Sequence, residues 1–153
     1  MNIPDRIDKF DGEYAFLSNF YECLVHFDGL LYQNSEAAFQ AQKCVCASDR
    51  SRFMDLPPNK AKRLGRKVLL RPDWEDVKDD VMYRVVLSKF LQNPSLADAL
   101  IKTGNAELIE GSYWGDTYWG VCEGVGQNKL GEILMRVRSE LPHLTRKIFD
   151  INT

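Results

Sequence analysis

Apolar positions along the chain switch between a two-residue and a three-to-four-residue period, and the switches mark out its elements. Glu22-Cys-Leu-Val-His-Phe27 and Leu30-Leu-Tyr-Gln33 alternate or run apolar on either side of Asp28-Gly29. That pair is a strong local signal for a β-hairpin. Ser35 can then cap a helix predicted over 36–46, with a further short helix near 49–54 before Pro57-Pro58 breaks the chain. Asn59 is placed to cap a turn of helix from Lys60 to Arg66, with Gly65 where a helix end tolerates it.

The longest helix is predicted from Asp73 through Gln92. Trp74, Val77, Val81, Val85 and Ser88 form one stripe on it, and Met82, Val86, Lys89 and Phe90 a neighbouring one, so it is read as the core helix. Asn93-Pro94 stops it, Ser95 caps a shorter helix to about Lys102, and Glu107-Leu-Ile-Glu110 reads as a short strand. Gln127 or Asn128 opens a final helix, in which Leu130, Ile133, Leu134, Val137 and Leu141 recur until Pro142 ends it. These elements sum to an α+β fold, mostly helical with a small β-hairpin or sheet component. The length of 153 residues predicts a single compact domain over 1–153.

Composition narrows the function classes. Hydrophobic residues make up 44% and charged residues 27%, with a net charge of −2, so no dominant polyanion partner is signalled. Positive charge is nevertheless gathered at Lys60, Lys62, Arg63, Arg66, Lys67 and Arg71, enough for a local phosphate or nucleic-acid contact. Cys23, Cys44, Cys46 and Cys122 include no Cys-x-x-Cys pair, and His26 and His143 are far apart, which argues against structural zinc. All four cysteines are read as small buried hydrophobes. No apolar leader or membrane-length run is visible, so the expectation is a cytoplasmic protein with reduced thiols and no membrane partner.

Candidate chemistry concentrates in two segments. In Asn34-Ser-Glu-Ala-Ala-Phe-Gln-Ala-Gln-Lys43, the spacing of Glu36, Gln40 and Lys43 stacks a carboxylate, an amide and an amine on one helical face, beside Ala37, Ala38, Phe39 and Ala41. A polar stripe in such surroundings suits a cleft better than a wet surface. In Gly111-Ser-Tyr-Trp-Gly-Asp-Thr-Tyr-Trp-Gly-Val-Cys-Glu-Gly-Val-Gly126, aromatic area surrounds Asp116 on backbone able to take unusual dihedrals. The following Gly124-Val-Gly-Gln-Asn-Lys-Leu-Gly131 can present a helix N-terminus to phosphate or simply enter a helix. Asn19, flanked by aromatics in Phe16-Leu-Ser-Asn-Phe-Tyr21, completes the set. The plain structural alternatives are an exposed Glu36–Lys43 ion pair, core packing for Trp74, a solvated helix end for Arg66 and a turn-forming role for Asp116.

Taken in order, Ser18-Asn19-Phe20, Ser35-Glu36, Phe39-Gln40-Ala41-Gln42-Lys43, Leu64-Gly65-Arg66, Trp74 with Val81-Met82, Lys89-Phe90, Leu108-Ile109-Glu110, Asp116 with Trp119-Gly120, and Asn128 through Leu134-Met135 make the chain resemble the NADAR family, also called the YbiA-like N-glycosidases. The resemblance runs nearly end to end. Many members carry a histidine directly after the glutamate, where this chain has Ala37.

The resemblance implies an enzyme that cleaves the bond between a ribose and a base-like nitrogen, and the expectation is that it does so without metal or cofactor. It implies two substrate classes: ribosylaminouracil phosphates of riboflavin biosynthesis, and ADP-ribose attached to guanine in DNA or RNA. It also implies that Lys43 forms a Schiff base with the anomeric carbon. The residues agree with such chemistry: an apolar wall favours the unprotonated lysine, and Glu36 and Asp116 can move protons or support an oxocarbenium-like state in direct hydrolysis. Trp74, Trp114 and Trp119 are candidates to stack on the base, Asn19, Gln40 and Asn128 to read its edge or the hydroxyls, and Arg66 to meet phosphate. Phe20 and Gly120 belong to the same expected substrate surface. The alternative is a non-catalytic ADP-ribose or nucleotide binding module.

Overall fold

Asp28 and Gly29 both adopt positive φ, 48° and 84°, which is the two-residue turn that matches the twist of a hairpin. It joins β2 (Glu22–Phe27) to β3 (Leu30–Asn34) in an antiparallel pair with a register irregularity between Glu22 and Val25. The computed structural model describes residues 3–151, with side chains described as far as residue 144. The chain divides into two compact units, residues 19–93 and a second made of the residues up to 18 and from 94 onward. The fold is α+β, mostly helical, with two two-stranded sheets among the described residues.

In the 19–93 unit the hairpin is followed by α1 (Ser35–Ala41), α2 (Ala47–Arg50), a 3-10 turn (Ser51–Phe53), α3 (Pro58–Gly65) and α4 (Trp74–Gln92). Trp74, Val81, Met82, Val85, Val86, Lys89 and Phe90 are the buried positions of α4, while Val77 and Ser88 are only partly covered. Each large apolar side chain so covered contributes roughly 1.5–3 kcal/mol. α4 packs on β2 and α1, and α1 also packs on α3. Gln92 ties α4 to the hairpin, accepting from His26 N at 2.7 Å and donating to His26 O at 2.8 Å.

The other unit holds β1 (Arg6–Ile7), a 3-10 turn (Gly12–Leu17), α5 (Pro94–Lys102), β4 (Glu107–Leu108) and α6 (Lys129–Ile151). β1 and β4 pair in parallel. Leu100 and Ala97 of α5 and Leu130, Leu134, Val137 and Leu141 of α6 are buried. Arg138 anchors α6 by donating to Thr103 Oγ1 and Ala106 O, each at 2.9 Å.

Several boundaries differ from the sequence expectation. The first helix is shorter than 36–46, ending at Ala41, and Lys43 sits in the turn beyond it. Its cap is Asn34, whose Oδ1 accepts from Ala37 N at 2.7 Å, because Ser35 is drawn away to Asn19. α3 starts at Pro58 without a side-chain cap, so Asn59 lies inside it; proline suits a first helical turn, where its missing N–H has no partner to lose. α6 continues through Pro142 to Ile151 instead of ending there; proline removes a single backbone hydrogen bond, which the turns on either side outlast. Cys44 is buried, but Cys46 is exposed and contacts Asp49 Oδ2 at 3.1 Å. Among the described residues, no helix is long and apolar enough to cross a membrane.

Candidate active site

Every residue of α1 is buried, an environment in which polar groups must find partners. A helix of seven residues is marginal by itself, and its N-terminus is therefore tied down. Asn34 caps it and also donates to Leu56 O at 3.0 Å. Asn19 accepts from Glu36 N through its carbonyl at 3.1 Å, accepts from Ser35 Oγ through its side chain at 2.8 Å, and reaches Met82 Sδ on α4 at 3.3 Å. Asn19 thus clamps the start of α1 to α4.

Along the buried face, Gln40 Nε2 donates to Glu36 Oε1 at 2.9 Å. Glu36 is 7% exposed and Gln40 6%, so this carboxylate is not part of a solvated surface pair. Lys43 follows one turn later. Its backbone N–H returns to Gln40 O and its carbonyl accepts from Arg71 N at 2.9 Å. The ammonium lies 5.9 Å from the Trp74 ring centre and 3.4 Å from Gly65 O. Trp74 is itself tilted against Phe39 at 5.2 Å between ring centres. Trp74 is therefore core packing and the wall under Lys43 at once.

Burial lowers the Lys43 pKa from the ordinary lysine value; Glu36 opposes this, and the positive charges of Arg66 and Lys62 reinforce it. The result is an amine that gives up its proton more readily than a solvated lysine does. Arg66 is exposed at the C-cap of α3. Lys62 lies over the half-exposed Phe20 ring at 5.8 Å. Arg71 makes two hydrogen bonds to Asp73, at 2.6 and 2.9 Å, so its guanidinium is directed to that carboxylate.

The segment between β4 and α6, in the other unit, is organised mainly by backbone. Asp116 Oδ1 accepts from Tyr118 N at 3.1 Å and Trp119 N at 2.9 Å, an Asx turn. Ser112 Oγ accepts from Asp116 N at 3.0 Å. A side chain at Gly120 would overlap Glu110 O, and Val121 N donates to that same carbonyl at 2.8 Å. Asn128, at φ 52°, uses both ends of its amide on β4 and its continuation: Nδ2 to Leu108 O at 2.9 Å and Oδ1 from Glu110 N at 3.0 Å. The N–H groups of Lys129 and Leu130 donate to Tyr118 O and Trp119 O, so those donors of the α6 N-terminus meet the loop and not a phosphate. Tyr113 with Trp114, and Tyr118 with Trp119, form edge-to-face pairs at 5.0 and 4.8 Å.

The NADAR domain model matches residues 7–142. The chain belongs to the NADAR family. It is an N-glycosidase of that family, a hydrolase of N-glycosyl bonds. The chain is 37% identical over 133 residues to the N-glycosidase YbiA of Escherichia coli, covering 84% of this chain and 82% of that protein. It is 36% identical over 138 residues to an N-glycosidase of Nostoc punctiforme, covering 86% and 88%. A riboflavin biosynthesis protein of Vibrio vulnificus is 40% identical over 135 residues, covering 86% of this chain; the match spans only 36% of that longer protein. The NMR structure of Escherichia coli YbiA superposes with a TM-score of 0.80 at 35% identity, over 92% of this chain and 88% of that one.

Within the 19–93 unit of this NADAR chain, Asn19, Glu36, Gln40, Lys43 and Trp74 gather around α1, with Arg66 and Phe20 at its margin beside α3. Trp114, Asp116, Trp119, Gly120 and Asn128 belong to the other unit and form the loop described above. Gly65 was not singled out by sequence beyond a helix end, yet it touches both Gln40 and Lys43. Its only sequence signal is the Leu64-Gly65-Arg66 motif.

Proposed function

We propose that this chain hydrolyses the bond between C1′ of a phosphorylated ribose and a base-like nitrogen, with ribosylaminouracil phosphates as the substrate class. The observation carrying the reading is Lys43, whose burial against Trp74 lowers its pKa on the face that also holds Glu36. The riboflavin biosynthesis protein of Vibrio vulnificus among the relatives supports the substrate class, and the positive charge of Lys62 and Arg66 suits its phosphate. The whole described chain acts as one catalytic domain, in the cytoplasm and without a cofactor.

In this reading the Lys43 lone pair bonds to C1′ as the bond from C1′ to the base nitrogen breaks. The departing nitrogen leaves with that electron pair and takes a proton, which Glu36 relays. Loss of a proton from Nζ and opening of the C1′–O4′ bond, with a proton delivered to O4′, gives a protonated imine between Nζ and C1′. Water adds to C1′, and collapse releases the sugar aldehyde and restores the free amine. Direct hydrolysis through an oxocarbenium-like state uses the Glu36 carboxylate. Borohydride reduction separates the two routes, since only the imine leaves a ribose adduct on Lys43.

A second reading, removal of ADP-ribose from guanine in nucleic acid, is favoured by the loop aromatics. Tyr113 is 93% exposed and Trp114 51%, and exposed aromatic rings of this kind can stack on bases. The deciding experiment follows base release by mass spectrometry from a ribosylaminouracil phosphate and, separately, from an oligonucleotide carrying ADP-ribosylated guanine. Cleavage of the uracil compound alone supports metabolite clearance, and cleavage of the oligonucleotide adduct supports de-ADP-ribosylation. Tight ADP-ribose binding with neither compound cut would make the chain a nucleotide-binding module.

A further inference from the structure

Gly65 closes α3 with no positive φ, so its backbone conformation does not call for glycine. The requirement is room. A β-carbon at this position would overlap Gln40 Oε1 and lie 2.8 Å from Gln40 Cδ, well inside the separation at which carbon atoms attract. Gln40 cannot yield freely, because its Nε2 holds Glu36 Oε1 at 2.9 Å and the residue is buried. Its Oε1 is also buried and accepts no hydrogen bond among the described residues. The amide is therefore oriented by Glu36 on one side and by contact with the bare Cα of Gly65 on the other. The carbonyl of Gly65, at the partly negative C-terminal end of α3, receives the Lys43 nitrogen at 3.4 Å.

We propose that Gly65 is a positioning residue for the glycosidase reaction: its bare Cα gives the Gln40 amide the space from which it orients Glu36, and its carbonyl fixes where the Lys43 nitrogen rests. Carboxylate and amine are thereby located from one point at the end of α3. This rests on the reading of Lys43 and Glu36 as the reacting pair. Gly65 acts through Gln40 and Lys43 and touches no substrate, so its signature is a loss in kcat without a matching change in KM.

The test compares wild type, Gly65→Ala, Gln40→Ala and the Gly65→Ala/Gln40→Ala double variant, with Lys43→Ala as control. Each is given a ribosylaminouracil phosphate and, separately, the ADP-ribosylated guanine oligonucleotide, and each is also unfolded thermally. Displacing a reacting group by about 1 Å costs on the order of a hundredfold, so Gly65→Ala should lose about that in kcat with KM changed by less than about threefold. In the Gln40→Ala background the crowded amide is gone, and adding Gly65→Ala should cost less than about threefold more. A Gly65→Ala variant too unstable to assay is replaced by comparing the double variant with Gln40→Ala, since removing the Gln40 side chain restores the space. A double variant that still fails to fold overturns the proposal, as does an equal Gly65→Ala penalty in both backgrounds or an unchanged kcat while wild type cuts. A wild type that cuts neither compound, or a Lys43→Ala variant as active as wild type, overturns the functional reading and this proposal with it.

Discussion

α1 with its following turn and the loop between β4 and α6 both carry residues of the expected site, but they hold them by opposite means. In this first region the groups are side chains positioned by other side chains: Glu36 and Gln40 buried on the short helix with Gln40 on Glu36, and Lys43 half-buried in the turn after it with Trp74 under its amine. In the loop the side chains mainly shape backbone: Asp116 and Ser112 fold the turn, and Asn128 binds β4. Burial gives the first region the low local dielectric that alters an amine's proton affinity. The second region exposes Tyr113 and Trp114, partly covers Tyr118 and Trp119, and keeps its carboxylate in an Asx turn.

The largest effect expected follows from removing the amine. Lys43→Ala should lower turnover by roughly 10⁴-fold or more, as loss of a nucleophile does, with the thermal midpoint little changed. Equal activity in the variant would end the contrast between the regions, since α1 would then be only a buried helix. Next comes Asp116→Asn. An amide oxygen can accept from Tyr118 N and Trp119 N as the carboxylate does, so this variant removes charge and keeps the turn. A loss of roughly a hundredfold with unchanged near-ultraviolet circular dichroism would give the loop a chemical role. Normal kcat would leave Asp116 as a turn residue and sharpen the division.

The same difference in construction decided what could be read beforehand. A helical stripe leaves a period, so Glu36 and Gln40 of α1 are legible together, with Lys43 in the turn just past the helix end, as are the α4 core positions Val81, Val85 and Phe90. The Asp28-Gly29 turn carries its own dihedral signature. The Asp116 turn is local, two and three residues long, but a single Asp has no period. The Asn128 bridge to Leu108 and Glu110 and the closeness of Gly65 to Gln40 leave no period either, because each depends on segments distant in sequence. β1 escaped notice for that reason: two residues gain strand character only by pairing with β4. The cap was misassigned by one residue because Ser35 and Asn34 are both good caps, and only the tertiary pull of Asn19 on Ser35 separates them. Asn34→Ala should therefore destabilise the protein by about 1–2 kcal/mol, since it also leaves Leu56 O without its donor, whereas Ser35→Ala should leave the cap intact. Chemical denaturation of the two variants checks the order.

The smallest effect expected is a displacement of the pH profile, and it tests whether the amine senses its neighbours as a buried group should. Attack needs Lys43 unprotonated, so kcat/KM should rise with pH and level off above the lysine pKa. Burial lowers that pKa, and the limb should lie below the ordinary value of about 10.4. Arg66 is a positive charge that disfavours the ammonium; Arg66→Ala relieves it, raises the pKa and moves the limb to higher pH. Glu36 favours the ammonium, so Glu36→Gln should move the pKa the other way. Because that variant also impairs turnover, its limb is followed by the pH dependence of Lys43 acylation. Arg66 is exposed, so its share should shrink as salt is added, while the burial share should not. Shifts of the same sign in the two variants would mean that Lys43 does not titrate between those charges, and the electrostatic difference between α1 and the loop would lose its basis.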